Sequence, residues 1–294
     1  MTRSRIINSS IADNTIQNPK MHTTAAVMVA TGGQERTYVE VGSGKRYRSH
    51  TFSDVASKTI SFNDRGTIDF LIVGGGGGSA AAEGYTGSSG GAGAGGYVEG
   101  TSQEIAAGTY TVVVGAGGAK STDVAVAASA GGDSSFNGYI AKGGGAGPDY
   151  GTPGGTGGSG AGGSEHQQPA GGTNQDTYSS VTNVDGYGYA GGAGGNYDSS
   201  GGTVGSGGGG GAGGAGTAAN SGTAAGGAGR TNYFKDGSGI TYARGGNGVA
   251  GNESSSDEAA NTGNGAHGVS SSGGGNTNSG NGGSGIVIIR YELA

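Results

Sequence analysis

Glycine recurs at every third position in several stretches of this chain, and that spacing limits the fold more than any other feature. Gly154, Gly157, Gly160 and Gly163 are three apart, as are Gly207, Gly210, Gly213 and Gly216. Gly-Gly-Ala repeats from Gly210 to Ala215, and Gly191 to Asn196 has the same form. A left-handed extended helix has three residues per turn, so every third residue lies on one face. With glycine on two faces of three, neighbouring helices approach closely and bond laterally, N–H to C=O. Such a polyglycine-II bundle satisfies its backbone without a side-chain core. Collagen is excluded, because it needs unbroken triplets and abundant proline. Here the triplet phase breaks repeatedly, and the chain has four prolines. Glycine supplies 76 of the 294 residues and apolar types only 31%. A chain so rich in glycine is costly to order and short of conventional core. Composition alone would suggest disorder; the triplets argue for ordered packing.

The apolar residues that exist gather toward the two ends. Thr59 to Phe62 alternates with period two, a turn follows at Asn63 to Gly66, and Ile68 to Val73 is the next strand. Tyr47 to Phe52, Tyr110 to Val114, Tyr139 to Ala141 and Ile240 to Ala243 are further strand candidates, and the chain closes on Ile286 to Tyr291. The runs 70–73 and 286–289 are apolar throughout, which suits central strands buried on both faces. The reading predicts that these two strands meet and clamp the glycine-rich excursion between them. Ahead of this part, Ile6, Ile7, Ile11 and Ile16 recur in a polar background. Ala25 to Val29 and Tyr38 to Val41 read as short strands, either an attachment module or a strand pair packed on the main domain. The expected fold is all-β. A small β-sandwich-like strand framework over 46–294 clamps a polyglycine-II-type bundle, and residues 1–45 form a separate N-terminal segment.

Charge and chemistry narrow the function. Residues 1–65 hold nine Lys and Arg against five Asp and Glu, while the remainder holds six against sixteen. An acidic glycine-rich part is a poor partner for nucleic acid. No apolar run approaches the roughly 18–20 residues of a membrane span. The basic start, Met1 to Arg5, is followed by no apolar h-region, so synthesis in the cytoplasm without Sec export is expected. Without cysteine, disulfide and thiolate chemistry are excluded. Gly91 to Gly96 fits G-x-G-x-x-G, but no helix follows and no acidic residue closes a second strand. Gly87 to Gly91 fits G-x-S-x-G without the strand and helix that a nucleophile elbow requires. His22, His50, His166 and His267 lack metal-ligand spacing. No enzyme, cofactor or metal is expected.

Polar inserts interrupt the glycine blocks at 148–153, 165–190, 196–200, 251–264 and 270–281. Tyr150, Tyr178, Tyr187, Tyr189 and Tyr197 lie in or beside the first three. Tyrosine among Ser, Gly and Asn is also the mixture of antibody loops, where it supplies rigid amphipathic contact area. These five are the candidate binding residues, and the competing role for each is to cap the bundle.

Several motifs in fixed order carry a resemblance. Tyr47 to Phe52 precedes Gly66 to Gly78; Gly91 to Gly100, Tyr110 to Gly115 and Gly131 to Phe136 follow; Ile240 to Gly246 and Gly282 to Tyr291 complete the series. Residues 46–291 thereby resemble the glycine-rich domain of bacteriophage tail-fibre (adhesin) proteins. The resemblance implies a virion protein that recognises a host cell-surface glycan or outer-membrane protein, commonly as a homotrimer. Residues 1–45 lie outside it, and their position suggests attachment to other virion structural proteins. The competing functions are a capsid-decorating fibre with weak adsorption and an ice-binding polyglycine-II protein.

Overall fold

The computed structural model describes residues 27–81, 87–123, 127–196, 205–220, 222–249, 254–270 and 279–294. Ile6, Ile7, Ile11, Ile16 and Tyr197 therefore lie outside the described residues. The chain is all-β, and the described residues hold thirteen strands in three antiparallel sheets. They are β1 (Ala30–Thr31), β2 (Gln34–Val39), β3 (Arg46–Phe52), β4 (Ser57–Phe62), β5 (Gly66–Val73), β6 (Tyr97–Ile105), β7 (Gly108–Val113), β8 (Ser134–Phe136), β9 (Tyr139–Ala141), β10 (Val184–Tyr187), β11 (Arg230–Asn232), β12 (Ile240–Tyr242) and β13 (Ile286–Glu292). One sheet runs β1-β4-β7-β8-β9, a second β10-β6-β5-β13-β3-β2, and β11-β12 is a separate hairpin.

Period-two alternation divides the core. Ile68, Phe70, Ile72, Val287 and Ile289 face the first sheet, where they pack on Ile60, Phe62, Val112 and Phe136. Leu71, Val73, Ile286 and Ile288 face the other way, onto Ala212, Phe234 and Tyr242 of the glycine-rich part and the hairpin. The two apolar end strands pair directly, Ile286 opposite Val73 and Ile289 opposite Phe70, and are buried on both faces as expected. Closing a loop of more than two hundred residues in this way ties both ends of the excursion to one place. Burial of each Ile or Leu there is worth about 1.5–3 kcal/mol.

The N-terminal strands depart from the sequence reading. Of the expected strand Ala25 to Val29, residues 25 and 26 lie outside the described residues and 27–29 belong to no strand; β1 starts at Ala30, and β1 and β2 join the two large sheets through β4 and β3. Residues 30–39 are thus built into the sandwich, the second of the two roles considered for that strand pair. Arg290 on β13 fixes β2 from beneath. It is 6% exposed, and it donates to Asp69 at 2.9 Å, Glu40 at 2.8 Å and the Tyr38 hydroxyl at 2.9 Å. Its guanidinium lies 4.0 Å from the Tyr47 ring centre and 4.2 Å from that of Phe234.

The glycine-rich segments form a polyglycine-II bundle, and residues 74–79 show its plan. N–H groups of Gly74 and Gly77 donate to Gly96 and Gly93, those of Gly75 and Gly78 to Gly132 and Ser129, and those of Gly76 and Ser79 to Gly283 and Gly280. The carbonyls of this segment accept from Gly118 and Ser121, from Gly144 and Gly147, and from Ala266. Bonds rotate through three directions in three residues, as a threefold helix requires. This segment therefore meets six others, all from its own chain.

Glycine is needed here for space rather than for unusual torsion. None of Gly74 to Gly78 has a left-handed φ. A Cβ on Gly75 would lie 1.9 Å from the Ala116 carbonyl oxygen, and one on Gly76 1.9 Å from that of Asn264. Neither triplet block is one straight helix, however. The first folds back on itself, with the Ala161 N–H bonded to Gly155 O, and the second turns at Gly211 to Gly214 where Ala212 meets the sheet. The two blocks still lie side by side, since Gly207 and Gly210 donate to Gly163 and Gly160.

Candidate functional site

Bond register fixes the direction of each segment. Residues 74–81 leave β5, and 87–96 return antiparallel to them into β6. Residues 114–121 leave β7, and 127–133 return to β8; 142–147 leave β9. Residues 188–195 run outward from β10, 205–210 return, 243–249 run outward from β12, and 279–285 return to β13. At about 3.1 Å per residue, an eight-residue segment such as 74–81 carries the chain roughly 25 Å from the sheet. The outward segments thus end together, and the described residues at their far ends, such as Ser79, Gly147, Ser164, Gly195 and Val249, lie at an apex opposite the sandwich.

Two apex reversals are described in full. In the first, Asp149 Oδ1 accepts from the Tyr150 N–H at 2.7 Å, and the Asp149 carbonyl accepts from the Thr152 hydroxyl at 2.7 Å. Gly151 takes a φ of 66°, which glycine alone adopts freely. The second reversal places His166 and Gln167 at φ values of 64° and 56°. Two successive non-glycine residues in that region store about 1–3 kcal/mol each, a condition that clusters at functional sites. Tyr150 joins the two loops, its hydroxyl 2.8 Å from His166 Nε2 and its ring set edge-on to the imidazole at 5.2 Å. At 39% exposure, Tyr150 also presents a face to solvent.

Glu165 lies beneath this pair and is fully buried. Ser88 donates to Oε2 at 3.2 Å, and Oε1 has no partner among the described residues. Burial pushes its carboxyl up to about 7, so the proton is held near neutrality. The sequence reading passed over Glu165, since one acidic residue in a polar insert gives no sign of burial.

The other tyrosines are elsewhere. Tyr178 sits against the sandwich edge, where its hydroxyl accepts from the Ile140 N–H at 2.8 Å and its ring packs edge-on to Tyr139. Tyr187, on β10, is at the sandwich end, with the Arg230 guanidinium 3.5 Å above its ring. Tyr189 follows at the foot of an outward segment and is 40% exposed. The structure therefore does not gather the five candidates. Tyr150 is at the apex, Tyr178, Tyr187 and Tyr189 are at or near the sandwich, and Tyr197 is outside the described residues. Arg230 was missed because an arginine beside glycine gives no sequence sign of its aromatic neighbours.

A glycine-rich domain family matches residues 53–292. No curated protein matches the chain. The matched span begins just after β3, so β1, β2 and β3 precede it.

Proposed function

Since the chain belongs to the glycine-rich domain family, we propose that it is a display protein at the tip of a bacteriophage tail fibre, which binds the host cell surface through its apex loops. The observation that carries this reading is the collection of chain reversals at one end of a bundle whose interior is fixed by backbone bonds. Such a scaffold leaves side chains at the apex free to vary, and loops on rigid scaffolds are where binding residues concentrate. Tyr150, tied to His166, is the first anchor to test, and polar surroundings with small hydroxyl residues suit a glycan or the outer loops of a membrane protein. The N-terminal part, expected over residues 1–45, would join the protein to the particle. Copies grouped as a trimer would raise weak loop contacts by avidity.

The test exchanges the apex reversals 147–153 and 164–168 for those of a related fibre and measures particle adsorption. Host preference is expected to follow the loops while particle assembly is unchanged. If adsorption stays with the original host, the apex is not the recognition surface.

A further inference from the structure

We propose that Arg230 anchors a second binding site, at the junction of bundle and sandwich, which takes the carboxylate or phosphate of an acidic sugar. This does not rest on the apex reading. Arg230 begins β11, with its guanidinium carbon 3.5 Å from the Tyr187 ring centre and 5.6 Å from that of Tyr97. The two rings hold the planar group in one orientation.

Its donors are unused. Among the described residues no acceptor takes a hydrogen bond from the Arg230 guanidinium and no carboxylate lies within ion-pair distance, although the chain carries a net charge of -6. Arg290, the other guanidinium held between rings, is by contrast filled by Asp69, Glu40 and Tyr38. The nearby Glu99 carboxylate is engaged by the Tyr97 hydroxyl and by Asn232 at 3.3 Å. Asp185 on β10 points to solvent at the sheet edge. Both carboxylates place negative charge around the site, so a ligand must gain more from the fork than it loses to them.

Arg230 Nε is buried without a partner. Nε is closed off, so the two Nη groups are the end of the fork that a ligand can reach. Two parallel N–H donors in a fixed plane match the two oxygens of a carboxylate or phosphate. Here an oxyanion would offset the desolvation of a charge that the rings alone only partly compensate. Tyr189, two residues beyond Tyr187 and 40% exposed, would be the ring on which a sugar could rest. Exposed Arg244 brings a second cation to the same hairpin, since its Cγ lies 2.8 Å from where a Cβ on Gly229 would be.

The experiment titrates the full chain with glucuronate, glucose 6-phosphate, glucose and inorganic phosphate, followed by calorimetry. At least one of the two acidic sugars is expected to bind and glucose is not; which acid binds tighter distinguishes the carboxylate source from the phosphate source. Arg230→Gln should weaken the acidic sugar by about tenfold or more, the loss expected for a charge-assisted pair. Arg230→Lys keeps the charge and loses the fork, so it should also weaken binding, and wild-type melting of this variant excludes misfolding. Tyr189→Ala should weaken the sugars and not inorganic phosphate. The proposal is overturned if neither acidic sugar binds, if inorganic phosphate alone binds, or if folded Arg230→Lys binds as the wild type does.

Discussion

Placing a single methyl group inside the bundle tests whether glycine is there for space. At Gly93 a Cβ would lie 2.0 Å from the Ser159 carbonyl oxygen and 2.7 Å from its carbon. Reaching an ordinary contact requires the 91–94 and 159–162 segments to part by roughly an ångström, which stretches N–H···O bonds past their useful range. Two bonds join those segments, Ser159 N–H to Ala94 O at 2.9 Å and Gly162 N–H to Gly91 O at 2.8 Å. Each buried group left unpaired costs about 1–3 kcal/mol. Against this, replacing glycine by alanine stabilises by about 0.4–1 kcal/mol through the unfolded chain. Gly93→Ala should therefore lose about 2–5 kcal/mol, a large share of the roughly 5–15 kcal/mol of a typical domain. The control is Gly172→Ala, where a Cβ meets nothing within 4 Å and φ is not left-handed; it should be neutral or slightly stabilising. Urea unfolding followed by tyrosine fluorescence compares the two. Equal midpoints for both variants would refute the argument that space, and not torsion, demands glycine in the interior.

Three further outcomes are expected. Glu165 binds its proton more tightly folded than unfolded, from the ordinary 4.5 up to about 7, so its contribution is full below the lower value and lost as pH rises through the upper. Glu165→Gln should thus match the wild type at pH 4 and exceed it by roughly 2–3 kcal/mol at pH 8; an advantage independent of pH would count against the buried carboxyl. Burial lowers the His50 pKa below its ordinary 6.5, while its Nδ1 contacts Gly32 O at 2.7 Å. The unfolded chain then takes the proton first, and stability should fall as pH drops below 6.5, an effect read in the Glu165→Gln background and absent after His50→Gln. Arg290→Met leaves Asp69 and Glu40 without their cation and should cost about 3 kcal/mol in urea unfolding, with a loss under about 1 kcal/mol telling against Arg290 as the pin of β2.

Strands were legible where apolar residues alternate or run together. Ile68 to Val73 and Ile286 to Tyr291 announced themselves, and their pairing followed from their shared need for burial on two faces. Tyr139 to Ala141 was found with its true ends. β6, β8, β10 and β11 were not read as strands, because Tyr97-Val98-Glu99-Gly100, Ser134-Ser135-Phe136, Val184 to Tyr187 and Arg230-Thr231-Asn232 have too few apolar residues to show a period. Tertiary context makes them strands: Val184 to Tyr187 pairs along Tyr97 to Gly100, which pairs along β5. The threefold bundle was legible from spacing, whereas its turns were not. Ala212 and Gly213 continue the triplet perfectly, yet the chain reverses there because the sheet surface blocks its path. The scatter of the tyrosines was hidden for a related reason: spacing gives the helix phase of a residue, and not the end of the bundle at which its segment starts.

Chain direction has little weight inside this bundle. Residues 74–79 lie antiparallel to 93–96, 129–132 and 280–283, and parallel to 118–121 and 144–147, with equally short bonds to both kinds. A β-sheet must respect strand polarity, and a parallel neighbour there requires a long crossover. A lattice whose bonds radiate sideways from each rod accepts a rod of either sense at any vacant rim position. An inserted stretch that runs out and back therefore needs only glycine at its contact faces to dock, and it brings one new apex loop with it. Growth by such hairpins would enlarge the display end while the sandwich, and the junction of β5 with β13, keep their present form.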